Sequence, residues 1–131
     1  MLPKKYLQRI ESFLTKEDKE QTMKGYGIDR ACSFRINTLK STKEEVESFL
    51  YTSNIPFAAV SFLPLAYTID KKDEYILKGS KLFYEGKIYV QGLTSQLPAI
   101  LLDIREGMRV LDVTAAPGSK TTQIAALMNN T

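Results

Sequence analysis

The sequence predicts a small α+β domain followed by the opening strand, loop and helix of an α/β domain. The first part depends on strand-like alternation in residues 31–37 and on the helical stretch after it. The second depends on an apolar run at 110–113, on the turn-forming pair Pro117-Gly118, and on apolar residues at helical spacing within 119–128. With 131 residues, of which 44% are hydrophobic and 25% charged, the chain can bury one or two small cores.

Residues 1–28 predict two helices. Pro3 suits a first helical position, and an apolar stripe follows it, consisting of Tyr6, Leu7, Ile10, Phe13 and Leu14. Thr15 and Asp18 predict the start of a second helix, whose charged residues 16–24 end at Gly25-Tyr26-Gly27. We expect most of this second helix to be exposed to solvent.

Residues 31–37 predict a strand with one apolar and one polar face. The apolar residues Cys32, Phe34 and Ile36 alternate with the polar residues Ser33, Arg35 and Asn37. Cys32 is therefore expected to be a small core residue. The polar face and the residues just after it are expected to contact solvent.

The stretch from 41 to 80 completes the small domain. Ser41 or Thr42, each with a glutamate three residues later, predicts a helix cap, and the helix is expected to end at Asn54. Further strands are expected at 57–60, 65–69 and 75–77, with a charged turn at 70–74. Strand, helix and strand then form a βαβ-like unit. The layout is similar to an RNA-recognition-motif or ferredoxin-like fold, although the aromatic stacking signature of the RNA module is absent.

The last third of the chain predicts the start of a doubly wound, Rossmann-like sheet. The expected elements are a strand at 87–90, a helix at 94–102, a strand at 109–113 and a helix at 119–128. Thr94 is the expected cap of the first of these helices, with Pro98 in its first turn. The predicted divisions of the chain are 1–28, 29–80 and 81–131.

The loop before the last helix suits a small anionic group. Its small residues let backbone N–H groups approach a ligand, and the helix N-terminus adds partial positive charge. A dinucleotide loop, G-x-G-x-x-G, is poorly matched because Gly118 is the single glycine there. A P-loop is matched at Lys120-Thr121 but has Thr114 and Ser119 in place of both glycines. The third candidate is the cofactor loop of S-adenosylmethionine-dependent methyltransferases, which an acidic residue such as Asp112 accompanies.

Three motifs, in the same order, resemble the Nop/Sun family of RNA (cytosine-5) methyltransferases. Residues 110–123 read V-L-D-V-T-A-A-P-G-S-K-T-T-Q, similar to the family wording L-D-x-C-A-A-P-G-G-K-T-T. Residues 33–40, S-F-R-I-N-T-L-K, and 89–97, Y-V-Q-G-L-T-S-Q-L, resemble two further family landmarks. The chain departs from the common pattern at Thr114, Ser119 and Gly92, where the family often has Cys, Gly and an acidic residue.

The resemblance implies an S-adenosylmethionine-dependent enzyme that methylates rRNA or tRNA. It implies cofactor binding by the loop residues Thr114, Ala115, Ala116, Pro117, Gly118, Ser119 and Lys120. It also implies that the first domain lies on the RNA side, where we expect contacts from Arg35, Asn37 and Lys40. The family's nucleophilic cysteine lies downstream of the cofactor loop, so this chain is expected to hold no catalytic residue and to transfer no methyl group alone. Cys32 precedes the loop, lies on an apolar face and has no histidine to activate it.

Two other interpretations stay open at the level of sequence. One is a non-catalytic RNA-binding or adaptor module, and the other is a nucleotide phosphate-binding protein that uses Lys120-Thr121. With no histidine and one cysteine, a transition-metal site is not expected. No apolar run approaches the ~20 residues of a membrane span, so a cytoplasmic location without membrane contact is expected.

Charge and apolar surface give two further expectations. The net charge is +3, and the basic surplus lies before residue 91, which is compatible with contact to an RNA backbone and also with an ordinary solvated surface. A lone parallel strand at 109–113 would leave apolar faces uncovered. We therefore expect the segment 109–128 either to fold back on 81–102 or to pair with a second copy in a homodimer.

Overall fold

In the computed structural model, which describes residues 2–131, the chain up to Arg30 forms one unit of two helices. Helix α1 (Lys4–Glu11) follows Pro3, and α2 (Lys16–Tyr26) is capped by Thr15, whose hydroxyl oxygen accepts the N–H of Asp18 at 3.2 Å. Helix α2 has no buried residue, so both predicted helices and the exposure of the second are confirmed.

The second unit runs from Ala31 to Thr131 and contains a four-stranded sheet with helices. Its first elements are β1 (Cys32–Ile36), α3 (Lys43–Thr52), β2 (Phe57–Ala59), β3 (Ala66–Ile69), a 3₁₀ turn (Lys71–Asp73) and α4 (Glu74–Lys78). Its last elements are α5 (Lys81–Tyr84), β4 (Ile88–Val90), α6 (Leu93–Leu101) and α7 (Ser119–Leu127).

The sheet has the order β2-β3-β1-β4, and each neighbouring pair is antiparallel. Strand β1 is central: its Phe34 lies opposite Tyr67 of β3 and Val90 of β4, while Arg35 lies opposite Ala66 and Tyr89. The predicted strand–helix–strand unit exists as β1, α3 and β2, but β3 lies between its two strands. The 81–131 portion contributes β4 to this sheet.

The hydrophobic core lies on one face of the sheet. Cys32, Phe34 and Ile36 of β1 point into it, as the alternation predicts, and Cys32 is only 5% exposed. The Phe34 and Tyr67 rings stack with their centroids 5.7 Å apart. Helices α3, α4 and α5 cover this face with Val46, Leu50, Leu77 and Leu82. Burial raises the pKa of the Cys32 thiol, and the nearby Glu74 carboxylate adds to that rise.

The expected strand at 75–77 is wrong, because this stretch lies within helix α4. Glu74 and Lys78 form an ion pair one helical turn apart, with Nζ and Oε1 separated by 2.6 Å, and Leu77 between them is buried. One short helical turn thus places Leu77 in the core, with Ile76 packed against it, and leaves Tyr75 and Lys78 exposed. The predicted cap of α6 is also wrong: the helix begins at Leu93 after Gly92, so Pro98 lies inside it rather than in its first turn.

The expected strand at 109–113 is absent, since this segment has no regular secondary structure. A strand is defined by hydrogen bonds to a neighbouring strand, and within residues 2–131 the four paired strands are β1 to β4. Leu111 and Val113 are 85% and 82% exposed. The helix that follows is confirmed as α7, and it packs against α6, which places it on the 81–102 region as one of the two expected arrangements requires.

Candidate functional site

The seven residues predicted to bind a cofactor form one continuous segment: residues 114–118 are a loop, and Ser119 and Lys120 begin α7. All of them are exposed except Gly118 and Ser119, which are half-buried. Gly118 is the residue before the helix and has φ of 101°, a left-handed conformation that strongly favours glycine. The N–H of Thr122 donates to the Gly118 carbonyl at 2.9 Å and starts the helical hydrogen-bond ladder. The N–H groups of residues 119–121 precede that ladder, so they are available to an anion at the helix N-terminus.

Asp112 joins the two ends of the loop. Its Oδ1 accepts the N–H of Thr114 at 3.0 Å, and its Oδ2 accepts the hydroxyl of Thr121 at 2.7 Å. The bond from Thr121, the bond from the Thr114 backbone and the charge of Lys120 all lower the pKa of this carboxyl group. The Asp112 carboxylate therefore bridges Thr114 and Thr121 across the loop.

The contacts of Lys120 and Thr121 do not form a P-loop. The Thr121 hydroxyl is held by Asp112 and lies 3.2 Å from the Ala115 carbonyl oxygen. Lys120 extends along the surface, and its Nζ donates to Ser95 Oγ of α6 at 3.2 Å. A phosphate-binding loop uses that Lys and that hydroxyl on the phosphates and their metal ion, so the structure gives the nucleotide-phosphate interpretation no support.

A buried polar cluster lies beneath the loop, on the face of the sheet opposite the hydrophobic core. Its members are Arg35 of β1, Gln91 just after β4, Gln96 of α6 and Gln123 of α7, all buried. We call these four residues the glutamine–arginine cluster.

The three glutamines of the cluster connect α6 and α7 to the end of β4. Gln91 Nε2 donates to Ser95 O at 3.0 Å and to Gln123 Oε1 at 3.3 Å. Gln123 Nε2 donates to the Gln96 carbonyl, and Gln96 Nε2 donates to the Gln91 carbonyl, each at 3.1 Å. These side-chain amides therefore join α7 to α6 and to the end of β4.

The expectation that Arg35 lies on a solvated face is wrong. Its side chain is covered by α7, and the residue is 3% exposed. Asn37 is half-buried and donates from Nδ2 to the Gly86 carbonyl at 2.8 Å. Lys40 is exposed, with its Nζ 3.1 Å from the Glu85 carbonyl. Of the three predicted RNA-side residues, Lys40 is thus the most accessible.

Sequence reasoning did not single out the glutamines of the cluster or Thr122. Gln91 and Gln96 lie within the motif at 89–97, and Gln123 ends the motif at 110–123. Glutamine at a helical position normally indicates exposed surface, so only the recurrence of glutamine in both motifs could have suggested a contact between them.

Across residues 2–131, no cluster of His, Cys, Asp or Glu is suited to hold a metal ion. No helix in the same range is long and apolar enough to span a membrane.

Fold and site define a class: an α+β protein with a four-stranded antiparallel sheet and a loop of small residues that leads into a helix N-terminus. Residues 2–93 match the family model described as the N-terminal domain of 16S rRNA methyltransferase RsmF. Residues 99–131 match the model described as 16S rRNA methyltransferase RsmB/F. The chain therefore belongs to the RsmF family of 16S rRNA methyltransferases, within the Nop/Sun group that the three motifs resemble.

Individual relatives agree with this assignment. Ribosomal RNA small subunit methyltransferase F of Cronobacter sakazakii is 40% identical over 102 residues, which cover 75% of this chain and 21% of the relative. The Shewanella amazonensis protein of the same name is 34% identical over 106 residues, 79% of this chain and 23% of the relative. The chain thus spans roughly a fifth of the length of these relatives.

Two solved structures share the fold. The crystal structure of PH0851 has a TM-score of 0.77 and 32% identity, covering 98% of this chain and 28% of that one. A methyltransferase homolog protein from Pyrococcus horikoshii has a TM-score of 0.75 and 24% identity, covering 98% of this chain and 46% of that one.

Proposed function

We propose that this chain supplies the RNA-side domain and the cofactor loop of an S-adenosylmethionine-dependent methyltransferase that acts on small-subunit rRNA. The observation that carries the proposal is the loop Thr114–Lys120, open at a helix N-terminus, in a chain of the RsmF family. The names of the relatives favour rRNA over tRNA as the substrate. The cytoplasmic location expected from the sequence is part of the proposal.

The loop suits the carboxylate end of S-adenosylmethionine. Gly118 leaves open space on the ligand side, since a Cβ built there meets only Thr122 Cγ2, at 4.0 Å. The N–H groups after Pro117 and the Lys120 ammonium group would hold the carboxylate. When bound, S-adenosylmethionine supplies the methyl group that is transferred.

Carbon 5 of cytosine is the proposed methyl acceptor, on the strength of the Nop/Sun resemblance. That carbon becomes nucleophilic only after a thiolate adds to carbon 6. Cys32 does not suit this role, because it is buried and its thiol pKa is raised. We therefore propose that the chain alone holds no catalytic residue and that the nucleophile comes from a part of the enzyme beyond these residues.

For the RNA side we propose a ferredoxin-like fold related to the RNA-recognition motif. Its support is the strand order β2-β3-β1-β4, with α3 after β1 and helices α4 and α5 between β3 and β4. Lys40 and Asn37, next to the 85–86 turn, are the proposed RNA contacts. The divisions 1–28, 29–80 and 81–131 and a Rossmann-like methyltransferase domain belong to the same proposal, with β4 of the third division completing the sheet of the second.

The test is the variant Gly118→Val in the full-length protein that carries this chain, with S-adenosylmethionine affinity measured by calorimetry. At φ of 101° a β-branched residue forces the loop into another conformation, so binding should be lost while the far-UV circular dichroism is retained. Gly107→Val is the matched control, because Gly107 has φ of 82° and open space around it but lies outside the loop.

Three outcomes separate the hypotheses. Loss of binding in Gly118→Val, with normal binding in Gly107→Val, supports the cofactor loop. Equal affinity in both variants and the parent would refute the assignment. RNA binding by a parent protein with no affinity for S-adenosylmethionine would instead favour the adaptor interpretation.

A further inference from the structure

Arg35 connects the central strand of the sheet to the first turn of α7. Its Nε donates to Gln91 Oε1 at 2.9 Å, and its Nη2 donates to the Ser119 carbonyl at 3.1 Å and to Thr122 Oγ1 at 2.8 Å. The Tyr89 ring, opposite Arg35 on β4, lies 5.1 Å from the guanidinium carbon. Arg35 thus contacts two residues, Ser119 and Thr122, that lie 84 and 87 positions after it in the sequence.

The partners of Arg35 are neutral. Within residues 2–131, none of the ion pairs includes this guanidinium. Burial of a charge without a carboxylate is costly unless hydrogen bonds and dipoles replace its water, and this burial lowers the pKa of Arg35. Three oxygen acceptors and an aromatic ring serve as that replacement here.

The contacts of Arg35 fall where the loop becomes a helix. Ser119 is the first residue of α7, and Thr122 closes the turn by donating to the Gly118 carbonyl at 2.6 Å. A guanidinium bound to both Ser119 and Thr122 therefore restrains the turn whose N–H groups face the proposed ligand. Because Arg35 is covered by that turn, it acts on the ligand through α7 rather than by contact.

We propose that Arg35 is a positioning residue, which holds the first turn of α7 against the sheet and so fixes the orientation of the cofactor loop. This inference deepens the proposed function. The expected effect of Arg35 on cofactor affinity rests on that function. Its structural half, the restraint of α7 by Arg35, does not depend on the identity of the cofactor.

The structural half is tested in the 131-residue chain by amide hydrogen exchange of Thr122→Val. This variant removes the acceptor of Arg35 from an exposed position and keeps the side-chain shape. Thr52→Val is a close control, because the Thr52 hydroxyl makes the same bonds to carbonyls three and four residues earlier in α3 but has no arginine partner. We expect Thr122→Val to accelerate amide exchange in α7 at least about tenfold more than Thr52→Val accelerates it in α3.

The functional half is tested with Arg35→Met in the full-length enzyme. Arg105→Met is the control, because the Arg105 side chain is exposed and forms an ion pair with the exposed Asp103. We expect the KM for S-adenosylmethionine to rise about tenfold or more with kcat nearly unchanged at saturation, since α7 must be ordered before the cofactor binds. If Arg35 merely stabilised the whole unit, melting temperature would fall and KM would not change.

Each result has one meaning. Unchanged α7 exchange in Thr122→Val, or an unchanged KM in a folded Arg35→Met enzyme, overturns the positioning role. If Arg35→Met does not fold, Thr122→Val in the full-length enzyme decides, with a raised KM in support and an unchanged KM against. A parent enzyme that does not bind S-adenosylmethionine defeats the proposed function, while the exchange result still stands for Arg35.

Discussion

Replacement of Gln123 by leucine should loosen α7 while the sheet stays intact. Gln123 is the buried residue at the centre of α7, and its amide joins Gln91 of the strand end to the Gln96 carbonyl of α6. Leucine has a similar volume, so Gln123→Leu changes the hydrogen bonding much more than the packing.

The magnitude follows from the bonds removed. Gln123→Leu loses the bond from Gln91 Nε2 at 3.3 Å and the bond to Gln96 O at 3.1 Å. Each bond contributes a net stabilisation of about 1 kcal/mol, and burial of the leucine side chain offsets part of the loss. We therefore expect the free energy for local opening of α7 to fall by about 1–2 kcal/mol. Exchange of the α7 amides should therefore accelerate by about 5–30-fold.

Native-state hydrogen exchange measures this opening residue by residue. Amides of β1 and β3 should keep their protection, because the hydrophobic core lies on the other face of the sheet. Gln21→Leu in α2 is the control, since it makes the same chemical change at an exposed helical position. Protection in α7 that stays within a factor of about two of the parent would refute the view that the glutamine amides attach this helix.

Other predictions address the core, the loop and the exposed segment. Cys32 should react with iodoacetamide only after unfolding, because it is buried and its thiol pKa is raised; rapid labelling of the native chain would contradict this. Since the folded Asp112 pKa is lowered, its stabilisation of the loop should be complete above its unfolded pKa of roughly 4 and lost as pH falls below it. The Thr114 amide shift should report that loss, and Asp112→Asn should abolish the pH dependence. The chain alone should transfer no methyl group to RNA, and sustained turnover sensitive to Cys32→Ser would disprove this. Leu111 and Val113 stay exposed although α7 packs on α6, so sedimentation at rising concentration should show self-association through these two side chains, and a strict monomer would exclude it.

The elements with strong local signals were predictable from sequence. Thr15 and Thr42 each have an acidic residue three positions later, and both hydroxyls accept the expected backbone N–H. The alternation in β1 correctly predicts the core face, because one side of the strand meets helices α3 to α5. Capping and alternation depend on neighbouring residues alone, so no knowledge of the fold is needed.

Elements that depend on distant partners were not predictable in this way. Residues 109–113 have the composition of a buried strand, but a strand needs a neighbour to bond with. In residues 75–77 the apolar run is too short to distinguish strand from helix, and the ion pair between Glu74 and Lys78 favours the helix. Propensity therefore identified the apolar residues correctly and the secondary structure wrongly.

The burial of the polar face of β1 also depends on distant residues and was not predictable from the sequence. A strand with polar residues at alternate positions predicts one wet face, yet α6 and α7 cover that face and enclose Arg35. A polar face can be covered if its polar groups find hydrogen-bond partners, and Arg35 finds them in Gln91 Oε1, the Ser119 carbonyl and Thr122 Oγ1. The amides of Gln91, Gln96 and Gln123 then join α6 and α7 to the end of β4. The two motifs that contain these glutamines, with the motif of Arg35, thus form one contact. Because hydrogen bonds are directional and apolar contacts are not, this attachment defines the rotation of α7 about its axis, and with it the direction in which the loop N–H groups point.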